Sequence, residues 1–160
     1  MAQEKLDFEQ FLQSVDASCR AFAQDLHGYL YENGCKATFE EKKTGLLGSY
    51  KHAKTKKSVI NLLLKKRGLL VRIYGENIGG YPKFLDTLPA EMVQSIDGAG
   101  ECKRLVQNTC STKCMGYDFT VGKKRFQKCR YGGFEFLVTD ASGPYIRAFV
   151  ENEMRERLAT

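Results

Sequence analysis

The strongest constraint on the fold is a short apolar run at residues 59–64, Val-Ile-Asn-Leu-Leu-Leu. Six residues are far fewer than the roughly 20 needed to cross a membrane, and they match the length of a buried strand. Neighbouring side chains on a strand point to opposite faces, so successive apolar residues predict burial on both sides. We therefore expect residues 59–64 to form a central strand that is covered, at least in part, on both faces.

Turn residues on either side of this run predict two β-hairpins. Thr44-Gly45 and Arg67-Gly68 each separate two stretches of strand-forming residues, which places four antiparallel strands within about residues 36–75. A third hairpin is predicted across Gly122-Lys123, followed by one more strand at 134–140.

Helices are predicted at both ends of the chain and between the strands. Apolar residues spaced three and four apart predict one long amphipathic helix over residues 5–32, ended by Asn33-Gly34. Two short helices are expected at 82–88 and 89–96. A last helix is expected at 142–158, where Ser142 suits the cap and Pro144 the first turn. Its predicted buried stripe is Tyr145, Ile146, Phe149, Val150, Met154 and Leu158.

The predicted fold class is α+β. We expect an antiparallel sheet packed by the long N-terminal helix, the C-terminal helix and the short helices between them. With 160 residues, the chain is expected to form a single domain, 1–160, with a core that needs no cross-links.

The order of these elements resembles the small bacterial α+β proteins of the YdhG-like domain of unknown function. The likeness rests on the N-terminal helix, the hairpins and the stretch at 68–96, where a strand runs through a Gly/Tyr-Pro loop into short helices. It covers about two thirds of the chain. The resemblance implies an iron-chaperone-like role but transfers no functional residue, and the cysteine-rich segment lies outside that pattern.

Composition predicts a soluble cytoplasmic protein with no membrane association. The apolar runs are too short to span a bilayer. The N-terminus also lacks the basic and then apolar pattern of a secretory signal. The net charge of +6 raises the expectation of a polyanionic partner only modestly.

Four of the six cysteines fall within one 28-residue segment, with the spacing Cys102-x7-Cys110-x3-Cys114-x14-Cys129. Zinc prefers four thiolates in a tetrahedron, and Cys110 and Cys114 form one acceptable close pair. We predict that all four cysteines converge in space. They are the candidate metal ligands, with zinc favoured over an iron–sulfur cluster.

Three other interpretations of these cysteines stay open. They could be buried apolar side chains, since cysteine is among the most buried residue types. Disulfides are disfavoured by the reducing cytoplasm. A reactive thiol would need a base, and the two histidines, His27 and His52, are expected to be structural or exposed. Cys19 is expected in the helix core, and Cys35 at a strand start without chemistry.

Two basic clusters leave a nucleic-acid partner open. The first, from Lys51 to Arg67, is expected to divide between turns at the two ends of one strand. The second has aromatic residues between its cations, an arrangement that single-stranded nucleic acid uses. It consists of Lys123, Lys124, Arg125, Lys128 and Arg130, with Phe126 and Tyr131. A solvated hairpin with its aromatic residues in the core is the favoured interpretation of this second cluster.

The function favoured by the sequence is a small binding or interaction domain that recognises a small ligand or a protein and carries a four-cysteine zinc site. A nucleic-acid-associated module is the alternative. A thiol-dependent enzyme or redox protein comes third, and the sequence favours a protein that is not an enzyme.

Overall fold

The computed structural model describes residues 5–100, 116–128 and 133–159. The chain forms two compact units. Unit 1 comprises Met1–Arg72 with Phe136–Pro144, and unit 2 comprises Ile73–Glu135 with Tyr145–Thr160. The chain passes from one unit to the other three times. The expectation of a single domain, 1–160, stays a prediction.

The larger sheet has six strands, in the order β1-β2-β3-β4-β5-β8. Its strands are β1 (Lys5–Leu6), β2 (Cys35–Lys42), β3 (Gly45–His52), β4 (Ser58–Lys65), β5 (Gly68–Ile73) and β8 (Phe134–Leu137). The pairs β1/β2, β2/β3 and β3/β4 are antiparallel. Together with the helices, this sheet confirms the predicted α+β class.

β4 lies between β3 and β5, as the apolar run predicted. Val59, Ile60 and Leu62 are fully buried, and Leu63 and Asn61 are nearly so. Burial of successive residues means that side chains on both faces of the strand are removed from water. The interpretation of residues 59–64 as a central, doubly covered strand is therefore confirmed.

The predicted long N-terminal helix is wrong in one respect, because the chain forms three elements there. After β1, helix α1 spans Phe8–Ser14 and helix α2 spans Ala17–Glu32. Asp7 begins α1 through a capping box with Gln10, in which each side chain bonds to the other's backbone N–H. Val15 is buried with extended backbone angles (φ −77°, ψ 140°), which ends the helix.

The apolar stripe of these two helices lies on the core side of unit 1, and α2 contacts β2. Its fully or almost fully buried members are Phe11, Leu12, Val15, Ala23, Leu26 and Leu30. Phe11 packs against Phe39 of β2, with ring centroids 5.2 Å apart. Phe8 and Phe22 are only half-buried, although the sequence pattern placed both on the same stripe.

Unit 2 contains short helices and a separate two-stranded sheet. After a 3₁₀ turn at Ile78–Gly80 come α3 (Pro82–Leu85), α4 (Ala90–Asp97), β6 (Tyr117–Val121) and β7 (Lys124–Lys128). β6 pairs with β7 in an antiparallel hairpin, and β6 also contacts the 3₁₀ turn and α3. The predicted short helices and the hairpin across Gly122-Lys123 are therefore present.

The last helix, α5, spans Gly143–Ala159. Ile146, Phe149, Val150 and Met154 are fully buried, as predicted. Tyr145 and Leu158 are exposed, which contradicts their place in the predicted stripe. Glu153, which the apolar pattern did not include, is fully buried on this helix. Its carboxylate accepts hydrogen bonds from Tyr81, Asn77 and Arg157. No helix among residues 5–100, 116–128 and 133–159 is long and apolar enough to cross a membrane.

Candidate functional site

The predicted zinc ligands Cys102, Cys110, Cys114 and Cys129 all lie outside the described residues, in 101–115 and 129–132. The structure does describe the chain on both sides of them. Asp97 to Gly100 lead into the first stretch of cysteines, and the β6–β7 hairpin lies between the third and the fourth.

Lys128, the residue before Cys129, has a nearly buried side chain with 4% exposure. Its ammonium donates to the backbone carbonyl of Asp97 at 2.8 Å and to that of Ala99 at 3.1 Å. These carbonyls lie at the C-terminal end of α4, where the helix dipole favours a cation. The chain just before Cys129 is thereby fixed to the chain three residues before Cys102.

Strand pairing adds Tyr117 to this group of residues. In the β6–β7 hairpin, Tyr117 is the direct partner of Lys128. Cys114 precedes Tyr117 by three residues, and Cys129 follows Lys128 by one. Ala99, Tyr117 and Lys128 therefore form one local anchor, which we call the segment base.

The far end of the hairpin is also fixed. Gly122 has a positive φ of 61° and closes the turn, as glycine does without steric cost. Its N–H donates to the carboxylate of Asp86 at 2.7 Å. Because the hairpin is held at its tip and at its base, β6 and β7 form a defined support for the segment base.

Aromatic rings fill the buried side of this support. Tyr117 contacts Phe134 with ring centroids 5.4 Å apart, and Phe119 contacts Phe126 at 5.5 Å and Phe134 at 5.6 Å. All four rings are almost completely buried. Such pairs add about 0.5–1.5 kcal/mol each beyond the burial of their surface. Tyr117 of the segment base is therefore part of a buried aromatic core.

The second basic cluster does not present free cations and aromatic faces together. Phe126 is only 3% exposed, so its ring is not available to stack on a base. Lys124 pairs with Asp97 at 3.0 Å, and the guanidinium of Arg125 binds the carboxylate of Asp118. These bonds hold the pKa of Asp97 and of Asp118 below the usual range. Arg130 and Tyr131 lie outside the described residues.

The first basic cluster has the predicted arrangement. Lys54, Lys56 and Lys57 lie in the exposed connection before β4, and Lys66 and Arg67 form the exposed turn after it. The strand separates the two groups at about 3.3 Å per residue, which keeps them roughly 25 Å apart. These cations therefore do not form one continuous patch along the chain.

The two cysteines outside the segment differ from each other. Cys19 is half-buried rather than in the core, and its sulfur lies 4.0 Å from the carbonyl oxygen of Val138. This corrects the prediction that Cys19 lies in the core. Cys35 begins β2, as predicted, and it is buried directly opposite His52 of β3.

The Cys35/His52 pair was missed, because His52 was expected to be exposed or structural at a strand end. His52 is about nine-tenths buried, and its Nδ1 has no hydrogen-bond partner among the residues that the structure describes. The pair could have been found from the hairpin register. A two-residue turn pairs Lys42 with Gly45, and counting outward from there places 35 opposite 52.

A buried carboxylate in unit 2 was also missed. Glu153 of α5 is fully buried and accepts hydrogen bonds from the hydroxyl of Tyr81 at 2.6 Å and the backbone N–H of Asn77 at 3.1 Å. Arg157, one turn later, donates to it at 2.7 Å. Burial, then the charge of Glu153, raises the pKa of Tyr81 well above its usual range.

This network ties the loop at 74–81 to α5. Arg157 also donates to the carbonyl of Tyr74 at 2.7 Å, so both ends of the loop are bonded to the same helix. The spacing of Glu153 and Arg157 is the only local sign of the pair, since residues four apart are neighbours on a helix. The residues enclosing this site leave the carboxylate no solvent-exposed surface, which indicates a structural role.

Comparisons with known proteins give no family for this chain. No protein-family model, no curated protein and no solved structure matches it. The resemblance to the YdhG-like domain therefore stays a prediction. Among the described residues, no group of three or more His, Cys, Asp or Glu side chains is arranged to hold a metal ion.

Proposed function

We propose that this protein is a small cytoplasmic binding or interaction domain whose cysteine segment holds a structural zinc ion on Cys102, Cys110, Cys114 and Cys129. The supporting observation is the segment base, where the buried ammonium of Lys128 binds the carbonyl of Ala99 and Lys128 pairs with Tyr117. Three of the four cysteines are within three residues of this anchor along the chain.

Chain length allows the sulfurs to meet. A residue spans at most about 3.6 Å, so Cys102 and Cys114 can each lie no more than about 11 Å from the anchor residues that precede or follow them. Cys129 is the residue that follows Lys128 in the chain. Cys110 is four residues from Cys114, a spacing that suits two ligands of one ion.

A zinc ion would stabilise the cysteine segment by joining its four thiolates. Four thiolates at about 2.3 Å from one ion cross-link the chain without a large apolar core. Binding energy at such a site contributes directly to folding, because the unfolded chain does not hold the ligands together. The ordered segment would then present the surface that recognises a ligand or a protein partner.

The nucleic-acid alternative has less support from the hairpin. The aromatic residue at its centre, Phe126, lies in the core, and two of its cations bind carboxylates. Non-specific binding of this kind depends on freely available cations that displace counterions from phosphates. We therefore expect weak binding to nucleic acid that is lost near physiological salt.

The experiment is to measure metal and reactive thiols on the same purified sample. We expect one zinc per chain by elemental analysis and four thiols that react only after a chelator is added. Serine at any one of the four positions should abolish stoichiometric zinc, whereas the control Cys19→Ser should keep it. A metal-free protein with all four thiols immediately reactive would rule the proposal out, as would full zinc retention in Cys129→Ser.

A further inference from the structure

The N-terminal segment of unit 1 is held on the sheet by a stacked pair of rings. Phe8, at the start of α1, lies parallel to His27 of α2, with centroids 3.7 Å apart and planes only 4° apart. Phe8 also contacts Phe39 of β2, at 5.7 Å. The half-buried imidazole of His27 is thus the surface on which the beginning of α1 rests.

A hydrogen bond fixes the imidazole from the sheet side. Nδ1 of His27 lies 2.6 Å from the hydroxyl of Tyr50 in β3, and Tyr50 is fully buried. Burial raises the pKa of Tyr50, so the phenol keeps its proton. His27 is the one group among the described residues that can accept this buried proton, so we assign the hydroxyl as the donor and Nδ1 as the unprotonated nitrogen of a neutral ring.

We propose that His27 is an acid-sensitive latch, whose protonation removes the acceptor of the Tyr50 proton and releases the N-terminal segment from β1 to α1. A protonated imidazole carries a hydrogen on both nitrogens, so it can bond to the Tyr50 oxygen only as a donor and can no longer accept the hydroxyl proton. The Tyr50 proton would then be left buried, because His27 is the one partner that the described residues offer it. Moving the ring toward water relieves this cost and removes the surface under Phe8.

Among the described residues, no carboxylate belongs to the groups that face His27. Those facing it are Tyr31 from α2, Tyr50 from β3, and the uncharged rings of Phe8 and Phe39 from α1 and β2. Burial lowers the pKa of His27, which agrees with this uncharged setting.

The nearest carboxylates point elsewhere. Asp7 binds the backbone of Gln10, and Glu40 lies on the opposite face of β2 from Phe39, where it pairs with Lys42. Glu9 is exposed on α1. Asp25 and Glu32 lie two and five residues from His27 in α2, so both face away from it.

The remaining attachments of the segment explain where release would stop. β1 contributes only two paired residues, Lys5 with Glu40 and Leu6 with Phe39. The end of α1 is held more firmly, because Arg20 donates to the carbonyls of Val15 at 2.9 Å and Gln13 at 3.1 Å. Release would therefore open from the N-terminal side with Val15 as the pivot, and it would uncover Phe11 and Phe39.

The direction of the pH effect follows from the lowered pKa. A group that binds its proton less tightly in the latched state than in the open state stabilises the latch above its unperturbed pKa of about 6.5. That stabilisation is lost as the pH falls below this value. Each unit by which the pKa is lowered corresponds to about a tenfold change in the latch equilibrium.

Amide hydrogen exchange tests the latch across pH 7.5 to 5.0, with rates corrected for intrinsic exchange. Protection of amides in α1 should be lost progressively below about pH 6.5, while amides in β4 keep theirs. His27→Gln should remove the pH dependence, because glutamine does not titrate. Tyr50→Phe should reduce it, because no buried hydroxyl is left unpaired. The matched control, His52→Gln, should retain the wild-type step.

Three outcomes would overturn the latch. They are constant protection of α1 across this range, a loss in β4 at the same pH, and an unchanged step in His27→Gln. If that variant does not fold, imidazole titration by NMR in the wild-type protein replaces it. The His27 ring must then titrate at the same midpoint at which α1 loses protection, and separate midpoints would contradict the proposal.

Discussion

The ammonium of Lys128 lies 3.1 Å from the carbonyl oxygen of Ala99, 29 residues earlier in the chain. A second bond joins this ammonium to the carbonyl of Asp97, the last residue of α4. The two bonds join the end of β7 to the residues at the end of α4. The acceptors are two neutral backbone carbonyls, and the donor is one buried ammonium. A single substitution of Lys128 therefore removes both hydrogen bonds.

Lys128→Met should therefore destabilise unit 2. Methionine keeps the length of the side chain but leaves the two carbonyls without their charged donor, and hydrogen bonds to charged groups contribute about 1.5–3 kcal/mol. The free energy of unfolding from urea titration should fall by about that amount. Lys123→Met, at the exposed hairpin turn, is the control and should change it by less than about 0.5 kcal/mol. Equal effects of the two variants would contradict the assigned role of Lys128.

Glu153→Ala should be among the most damaging single changes in the chain. It leaves the nearly buried Arg157 guanidinium without its carboxylate and removes the acceptor of Tyr81. Breaking a buried pair by removing one partner costs about 3–5 kcal/mol. The control Glu151→Ala breaks the more exposed pair with Arg147 and should cost less than about 1 kcal/mol. Denaturant unfolding measures both, and a mild effect of Glu153→Ala would show that the network contributes little.

Phe11→Ala and Phe22→Ala should differ in cost, although the sequence places both on one stripe. Phe11 is fully buried against Phe39, so its removal leaves a cavity and should cost about 3–5 kcal/mol. Phe22 is half-buried, and water can occupy part of the vacated space. Its truncation should cost clearly less in the same unfolding assay. A larger loss for Phe22→Ala would mean that the helix packs differently.

Gly45→Ala should disrupt the β2–β3 hairpin. Gly45 has a φ of 143°, and an added Cβ would lie 1.8 Å from the carbonyl oxygen of Leu64. Backbone must move to relieve this clash, and we expect a loss of at least about 2 kcal/mol. Gly79→Ala is the control, since an added Cβ there meets nothing within 4 Å. A thermal melt that ranks Gly79→Ala as the more harmful variant would reject this account.

Under the proposed zinc site, a chelator should lower the thermal stability of the wild-type protein, because metal binding contributes to folding. Under the proposed ligand set, Cys129→Ser should already have this lower stability and should not respond to the chelator. Cys19→Ser should respond as the wild type does. A chelator response that survives in Cys129→Ser would exclude Cys129 from the ligand set.

The sequence by itself determined the elements whose signals are local. Alternation and turn residues predicted β2 to β5, and the apolar run at 59–64 identified the central strand. The two-residue turn between Lys42 and Gly45 also fixes the register that pairs Cys35 with His52. Each of these signals involves residues a few positions apart, so the chain's own pattern is sufficient.

Only the tertiary structure decided where the N-terminal helix is interrupted and which charged side chains are buried. The stripe over residues 5–32 continues through Val15, yet the helix ends there because Val15 is buried in an extended conformation. Glu153 and Lys128 are charged residues that no periodicity assigns to a core. Their partners, Tyr81 and Ala99, are 72 and 29 residues away. A charged group is buried at low cost only where folding brings donors or acceptors to it, and that depends on the packing of the whole unit.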